Sequence, residues 1–193
     1  MAKLKLLKLL FKQYHHLNLG GQDLSKADLA GLNLENANLT KADLSHANLQ
    51  NANLRGAKLD YANLSGAYLA GADLTNATLV QTSIKGANFR HARLDGAVFH
   101  ACIVEKSAFI KTSLKNVVMM QCKLFYSSFG YADFTEAHLN EVDFIKSNLE
   151  YASFSDACLK VVSFIGSKGI TIQQIEEAIN RDKLHGQIFE IEQ

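Results

Sequence analysis

The chain has 193 residues, with 20 Lys and Arg set against 19 Asp and Glu and a formal net charge of +1. So even a balance excludes a chain-wide polyanionic or polycationic surface, and the length is enough for a continuous core. Proline is absent, and the three cysteines show no pattern that calls for an oxidising compartment.

The charge is nevertheless uneven along the chain. Residues 1–16 carry four lysines and no acid, residues 17–168 carry fourteen charges of each sign, and residues 169–193 carry two basic and five acidic side chains, so +4, 0 and −3 sum to +1. Those boundaries divide the chain into an amphipathic capping helix (1–16), a repeat region (17–168), and a capping helix with a tail (169–193). Within the first segment, residues 3–14 read as a short helix. Lys5, Lys8 and Lys12 cluster on one side, opposite an arc of Leu4, Leu6, Leu7, Leu10, Phe11 and Tyr14. Such a helix serves as a lid on the apolar first coil of a solenoid, or as a basic anchor on an acidic membrane surface; the lid is the preferred reading. Lys5 and Lys8 break the apolar run and no small-residue cleavage site follows, so no cleavable leader is expected and the protein is read as cytoplasmic. Gly20 and Gly21 allow the chain to change direction into the repeats.

From Leu19 to Phe164 every fifth residue is large and apolar, thirty consecutive centres with no polar exception. Two places before most centres sits a small residue, and one place before sits Asp or Asn, as in Ala42, Asp43 and Leu44. A helix turns 100° per residue and would spray such centres over every face, while a flat strand would alternate them between two faces. A path that bends once per five residues and climbs brings all of them to one axis. Stacked coils then share backbone hydrogen bonds, which suits a chain without proline.

Runs such as Ala-Asn-Leu-Thr-Lys (37–41) and Ala-Asp-Leu-Ser-His (42–46) resemble the pentapeptide-repeat family, whose pattern is Ala-(Asp/Asn)-Leu-X-X. The resemblance covers about three quarters of the chain. It implies an all-β solenoid: a right-handed quadrilateral parallel β-helix with twenty residues per coil, about seven and a half coils in all. At a strand spacing of about 4.8 Å the rod would be roughly 36 Å long.

With twenty residues per coil, side chains can be placed in columns. Residues 27–79 are nearly ideal repeats, with Leu at every centre and Asn or Asp positioned to bond the backbone at corners. Leu44, Leu64 and Ile84 form one core ladder, and Phe89, Phe109 and Phe129 another. Phe134 over Phe154 and Phe144 over Phe164 add two more. Ser107, Ser127, Ser147 and Ser167 form an inward hydroxyl column that is expected to be satisfied internally. Cys102 and Cys122 stack in the inward small slot as reduced thiols, and Cys158 points outward.

The surface loosens after about residue 82. Phe125, Ile145 and Ile165 stack on one outer face beside Tyr126, Val98 and Val118 stack on another, and Tyr131 and Tyr151 on a third. They are the candidate protein interface, unless the C-terminal segment folds back over the first of them. After Gly166–Gly169, Thr171 and Gln174 resemble a capping box, and Ile172, Ile175, Ala178 and Ile179 give a helical stripe to about Arg181. Gly186 ends that helix, and 187–193 is an acidic tail. The family often closes its last coil with such a helix, and some members dimerise through that end, which adds a homodimer as a partner.

Catalytic chemistry is absent from the pattern. The seven histidines do not cluster, no Cys/His spacing matches a metal site, and no carboxylate pair is desolvated. No catalytic residue, metal or cofactor is assigned. The expected function is a non-catalytic rigid scaffold that binds an unidentified protein partner through its outer faces. The resemblance implies an alternative, inhibition or protection of a type II topoisomerase such as gyrase, because quinolone-resistance members are rods that resemble duplex DNA. A mimic of DNA needs a strongly negative surface, and this rod is neutral. The basic N-terminal helix leaves a membrane-proximal anchor as a further alternative. Direct nucleic-acid binding by the rod is not expected, since it shows no basic stripe.

Overall fold

The computed structural model describes residues 17–179 and 189–190. Residues 1–16, and with them the expected N-terminal helix, lie outside the described residues, as do 180–188 and 191–193.

Backbone pairing repeats every twenty residues, from Asn18 with Asn38 to Asn148 with Lys168, and all of it is parallel. Between Asn18 and Lys168 lie 150 residues, which is seven and a half coils of twenty. Each coil is paired four times, at positions five apart such as Asn38, Asp43, Asn48 and Asn53, so it has four sides. Side one carries Asn18, Asn38 and onward to Cys158; side two runs from Asp23 to Ser163, side three from Asp28 to Lys168, and side four from Asn33 to Ser153.

All thirty centres are buried, most of them completely. Leu44, Leu64 and Ile84 each have 0% exposure and follow one another at the twenty-residue register. Phe89, Phe109 and Phe129 stack with ring centroids 4.6 and 4.9 Å apart. Phe134 stacks on Phe154 (4.9 Å) and Phe144 on Phe164 (5.5 Å). Phe144 also meets Phe129 edge-on at 81°, so separate ladders lock together in the favoured T-shaped contact.

The corners explain the five-residue period. The second residue after every centre, from Gly21 to Gly166, has φ between +51° and +69°. That conformation is what the third position of a type II turn demands. At most corners the turn is closed by its own hydrogen bond, as from the Ala42 amide to the Leu39 carbonyl (3.0 Å). Asn or Asp one place before the centre takes a second amide: Asn38 accepts from Thr40 (3.1 Å), and Asp43 from Ser45 (2.9 Å). The same side chains join coils, as where the Asn53 amide group donates to Asn33 (2.8 Å).

Among the described residues eight strands lie in the second half of the coils: β1 (Thr78–Val80), β2 (Ser83–Lys85), β3 (Val98–His100), β4 (Ile103–Glu105), β5 (Val118–Met120), β6 (Lys123–Phe125), β7 (His138–Asp143) and β8 (Cys158–Ser163). β1, β3 and β5 stack on side one and β2, β4 and β6 on side two, and the six-residue β7 and β8 run through both. Elongated strands therefore occupy only about four coils, whereas the first half is held by single bridges between tighter turns. The difference lies at the corners entering Thr82, Ala87, Cys102, Ser107, Cys122 and Ser127, which lack the closing turn bond. At two of these corners the small-slot serine of the next coil bridges the open pair. Ser107 accepts the Ala87 amide and donates to the Ile84 carbonyl, and Ser147 does the same for Ser127 and Leu124. Cys102 donates to the Leu79 carbonyl of another open corner, while Thr82 and Thr112 add a bond to the Leu59 and Phe89 carbonyls of corners that are already closed.

The last coil ends at Gly169, whose φ is +77°; a Cβ there would meet the Glu150 backbone at 2.4 Å, so no larger residue fits. Helix α1 (Ile172–Ile179) follows. Its start is a reciprocal capping box: the Thr171 amide donates to the Gln174 side chain (2.8 Å), and the Gln174 amide to the Thr171 hydroxyl (3.3 Å). Ile175 and Ala178 are buried against the core, and the Gln174 side chain donates to the Ala152 carbonyl (2.7 Å). Ile172, expected in the buried stripe, is instead 61% exposed, because it opens the helix outside the coil. The continuation to Arg181 and the Gly186 stop lie outside the described residues. In the tail, β9 (Phe189–Glu190) pairs in parallel with Val162 and Ser163 of β8, adding one more rung to the stack.

Candidate functional site

The interior offers no chemistry. It is filled with Leu, Phe and Ala. Cys102 and Cys122 are free, stacked and fully buried; the hydrogen bond that the Cys102 thiol donates to Cys122, together with burial, pushes the Cys102 thiol well up, so it is protonated and inert. Cys158, expected to point outward, is half-buried and free. Among the described residues no group of three His, Cys, Asp or Glu side chains could hold a metal ion. Among the described residues, three outer grooves between coils have volumes of 540, 380 and 260 Å³. Among the described residues the four outer sides present most of the side chains that can meet another molecule.

Side four neutralises itself. Asp73 pairs with Arg55 (3.3 Å) and Arg93 (3.7 Å), Arg93 also reaches Asp95 (3.7 Å), and Lys115 pairs with Asp133 (3.2 Å). Burial pushes the Asp73 carboxyl up. Hydrogen bonds from Thr75 and Arg55, with the Arg93 charge, outweigh it and hold the group below the usual carboxylate range. Asp133 behaves alike through Thr135 and Lys115.

Sides one and two carry the apolar columns. Val98 lies over Val118 in register, both half-buried, with Met120 exposed beside them. Phe125, Ile145 and Ile165 stand one above another at the edge of side two, where the Lys106, Tyr126 and Lys146 amides donate to the Phe125, Ile145 and Ile165 carbonyls. All three side chains are half-buried rather than fully exposed, since each covers its neighbour. Among the described residues the C-terminal segment closes the end of the solenoid, with β9 on β8 and α1 against the core.

Tyrosines mark the two corners of side three. Tyr126 is 53% exposed with the Lys146 ammonium 5.6 Å from its ring centroid. Tyr131 and Tyr151 stack at 4.7 Å, and Lys111 lies 5.9 Å from the Tyr131 centroid. The candidate residues thus fall on three separate surfaces, and the Phe125 column and Tyr126 share one corner. Sequence reasoning missed how side three gathers cations. Arg90, Lys106, Lys111, Lys146 and Lys168 all fall on that side or its corners, and the register of twenty was the signal that could have shown it.

A closed four-sided core with functional groups confined to its outside defines a β-solenoid repeat protein. The chain belongs to the pentapeptide repeat family: the model of that family, pentapeptide repeats in 8 copies, matches residues 23–60, 62–100 and 127–164. Among solved structures it is similar to a pentapeptide repeat protein from the thylakoid lumen of Arabidopsis thaliana, with 32% identity and a TM-score of 0.50 over 50% of this chain and 68% of that one. It is also similar to the pentapeptide repeat protein Rfr23 of the cyanobacterium Cyanothece 51142, with 23% identity and a TM-score of 0.55 over 60% of this chain and 95% of that one. QnrB1, a plasmid-mediated fluoroquinolone resistance protein, matches at 19% identity and a TM-score of 0.44 over 92% of this chain and 91% of its own. No curated protein matches. Among the described residues no helix is long and apolar enough to cross a membrane.

Proposed function

We propose that the protein is a non-catalytic scaffold whose second half holds a protein partner on its outer sides. One observation carries this reading. The column that ends in Phe125, Ile145 and Ile165 begins with Ser25, Ser45 and Ser65. Serine satisfies the fold at that position in three coils, so the later large apolar side chains are not needed for folding. They form a raised apolar strip on a frame of fixed spacing, which is what a partner surface requires. Mimicry of duplex DNA calls for the opposite surface: the net charge is +1, and side three gathers cations.

The test replaces the strip with what the first half carries, Phe125→Ser, Ile145→Ser and Ile165→Ser together. The variant is expected to keep its thermal unfolding and to lose partner capture or self-association, read by pull-down and by sedimentation. Unchanged capture and unchanged mass in a folded variant would end this reading.

A further inference from the structure

Side three of the second half is built from residues 86–91, 106–111, 126–131, 146–151 and 166–170. These segments hold five cations, Arg90, Lys106, Lys111, Lys146 and Lys168, against one acid, Glu150, a local charge of 5 − 1 = +4. The whole chain is +1, so everything else sums to −3. Lys106 is drawn to Glu105 across its corner (3.3 Å). Among the described residues Arg90, Lys111, Lys146 and Lys168 make no ion pair, in contrast to the paired cations of side four. The floor between the corners is made of Ala108, Ile110, Ser128 and Gly130, lowest at Ser128 and Gly130, with Asn148 and Glu150 on the next coil. Tyr126 stands at one edge, the stacked Tyr131 and Tyr151 at the other. A 540 Å³ groove runs past Tyr126, Ser128, Lys146, Asn148 and Lys168.

We propose that this side binds an acidic, extended polypeptide segment of the partner. The inference rests on the scaffold reading and names the partner's chemistry. Unpaired cations over a neutral chain set the sign of the ligand. The shape argues for a peptide over a single-stranded nucleic acid. Bases need open aromatic faces to stack on. Here Tyr131 has Tyr151 on one face and Lys111 near its ring, and Lys146 lies over Tyr126, so the 71% exposed Tyr151 offers a single platform where a run of bases needs a series. What stays open is a shallow floor, lowest at Ser128 and Gly130, flanked by ammonium groups and tyrosine hydroxyls, which fits carboxylates on an extended backbone. The apolar strip at Phe125 adjoins the same corner, so one partner segment can meet both surfaces.

The experiment measures anisotropy of fluorescein-labelled polyglutamate and of labelled oligothymidylate with the full chain. Polyglutamate is expected to bind saturably, and to weaken as monovalent salt rises. The variant Lys111→Glu, Lys146→Glu, Lys168→Glu should lose about tenfold or more in affinity. The variant Lys41→Glu, Lys58→Glu, Lys160→Glu makes the same change in net charge on other surfaces and should bind as the parent does. Absence of saturable polyglutamate binding would overturn the proposal, as would equal loss in both variants. Tighter binding of oligothymidylate would overturn it in favour of nucleic acid. If polyglutamate fails while the Phe125, Ile145 and Ile165 substitutions still abolish capture, the scaffold stands and only the acidic segment is lost.

Discussion

The hydroxyl of Ser107 sits between two groups of the coil below, accepting the Ala87 amide at 3.1 Å and facing the Ile84 carbonyl at 3.0 Å. Those two groups would bond each other in a closed turn. One coil therefore completes the corner of another, and Ser107 is a structural part even though it lies in a slot that Ala27, Ala47, Ala67 and Ala87 fill in the earlier coils. Ser107→Ala removes the bridge and leaves a buried amide and carbonyl unpaired. The expected cost is about 1–3 kcal/mol, read as a lower urea midpoint at unchanged slope. An unaltered midpoint would show that the corner closes by itself.

Phe129 tests the aromatic ladder. It stacks on Phe109 and meets Phe134 and Phe144 with tilted and edge-on rings. Phe129→Ala opens a cavity where three ladders join, and the expected loss is about 3–5 kcal/mol by chemical unfolding. The centre one coil further on is Leu149, so Phe129→Leu keeps a side chain the coil accepts and should cost clearly less.

Val161 makes the opposite prediction. It holds φ at +53°, a region that β-branched residues rarely adopt, and it is 41% exposed. Val161→Gly removes the backbone strain and little packing. It should stabilise the fold by roughly 0.5–1 kcal/mol even though a glycine replaces a larger apolar residue. A lowered unfolding temperature would refute the strain argument.

Acid should weaken side four first. The native carboxyls of Asp73 and Asp133 lie below the usual value of 3.8. A depressed native value means stability that is present in full above that ordinary value and lost as pH falls through the native one. Unfolding temperature is therefore expected to hold down to about pH 4 and then decline. Asp73→Asn should flatten that decline while lowering stability at neutral pH, since Arg55 and Arg93 lose their shared partner. A parallel acid limb in the variant would exclude Asp73 as its source.

Much of this architecture was legible because burial follows one number. A period of five places Leu44, Leu64 and Ile84 on one axis, and the register then stacks Phe89, Phe109 and Phe129. The Asn and Asp turn bonds followed from side chains short enough to reach an amide two residues on. The corners that stay open were not legible. Whether a turn closes on itself or borrows the next coil's hydroxyl depends on a contact twenty residues away, and the letters at Ala87 and Ala47 are the same. The cation-rich side was missed for a related reason. Lys111, Lys146 and Lys168 look like scattered solvated charges in one dimension, and only the four-way division of each coil puts them together. Ile172 fitted a helical stripe by spacing, but spacing carries no information about where the helix leaves the coil.

The left-handed residue at every corner ties geometry to counting. An insertion of five residues would give the core another valid centre and another valid bend, so the interior would heal. Everything downstream would nevertheless swing by a quarter turn relative to what came before. Placed between Tyr126 and Lys146, such an insertion would take Lys146 off the Tyr126 ring and cut Phe125 from Ile145 and Ile165. Only an insertion of a whole coil leaves the outside aligned, so a chain of this design can grow or shrink in fives without harm to its inside, but only in twenties without changing what it shows to a partner.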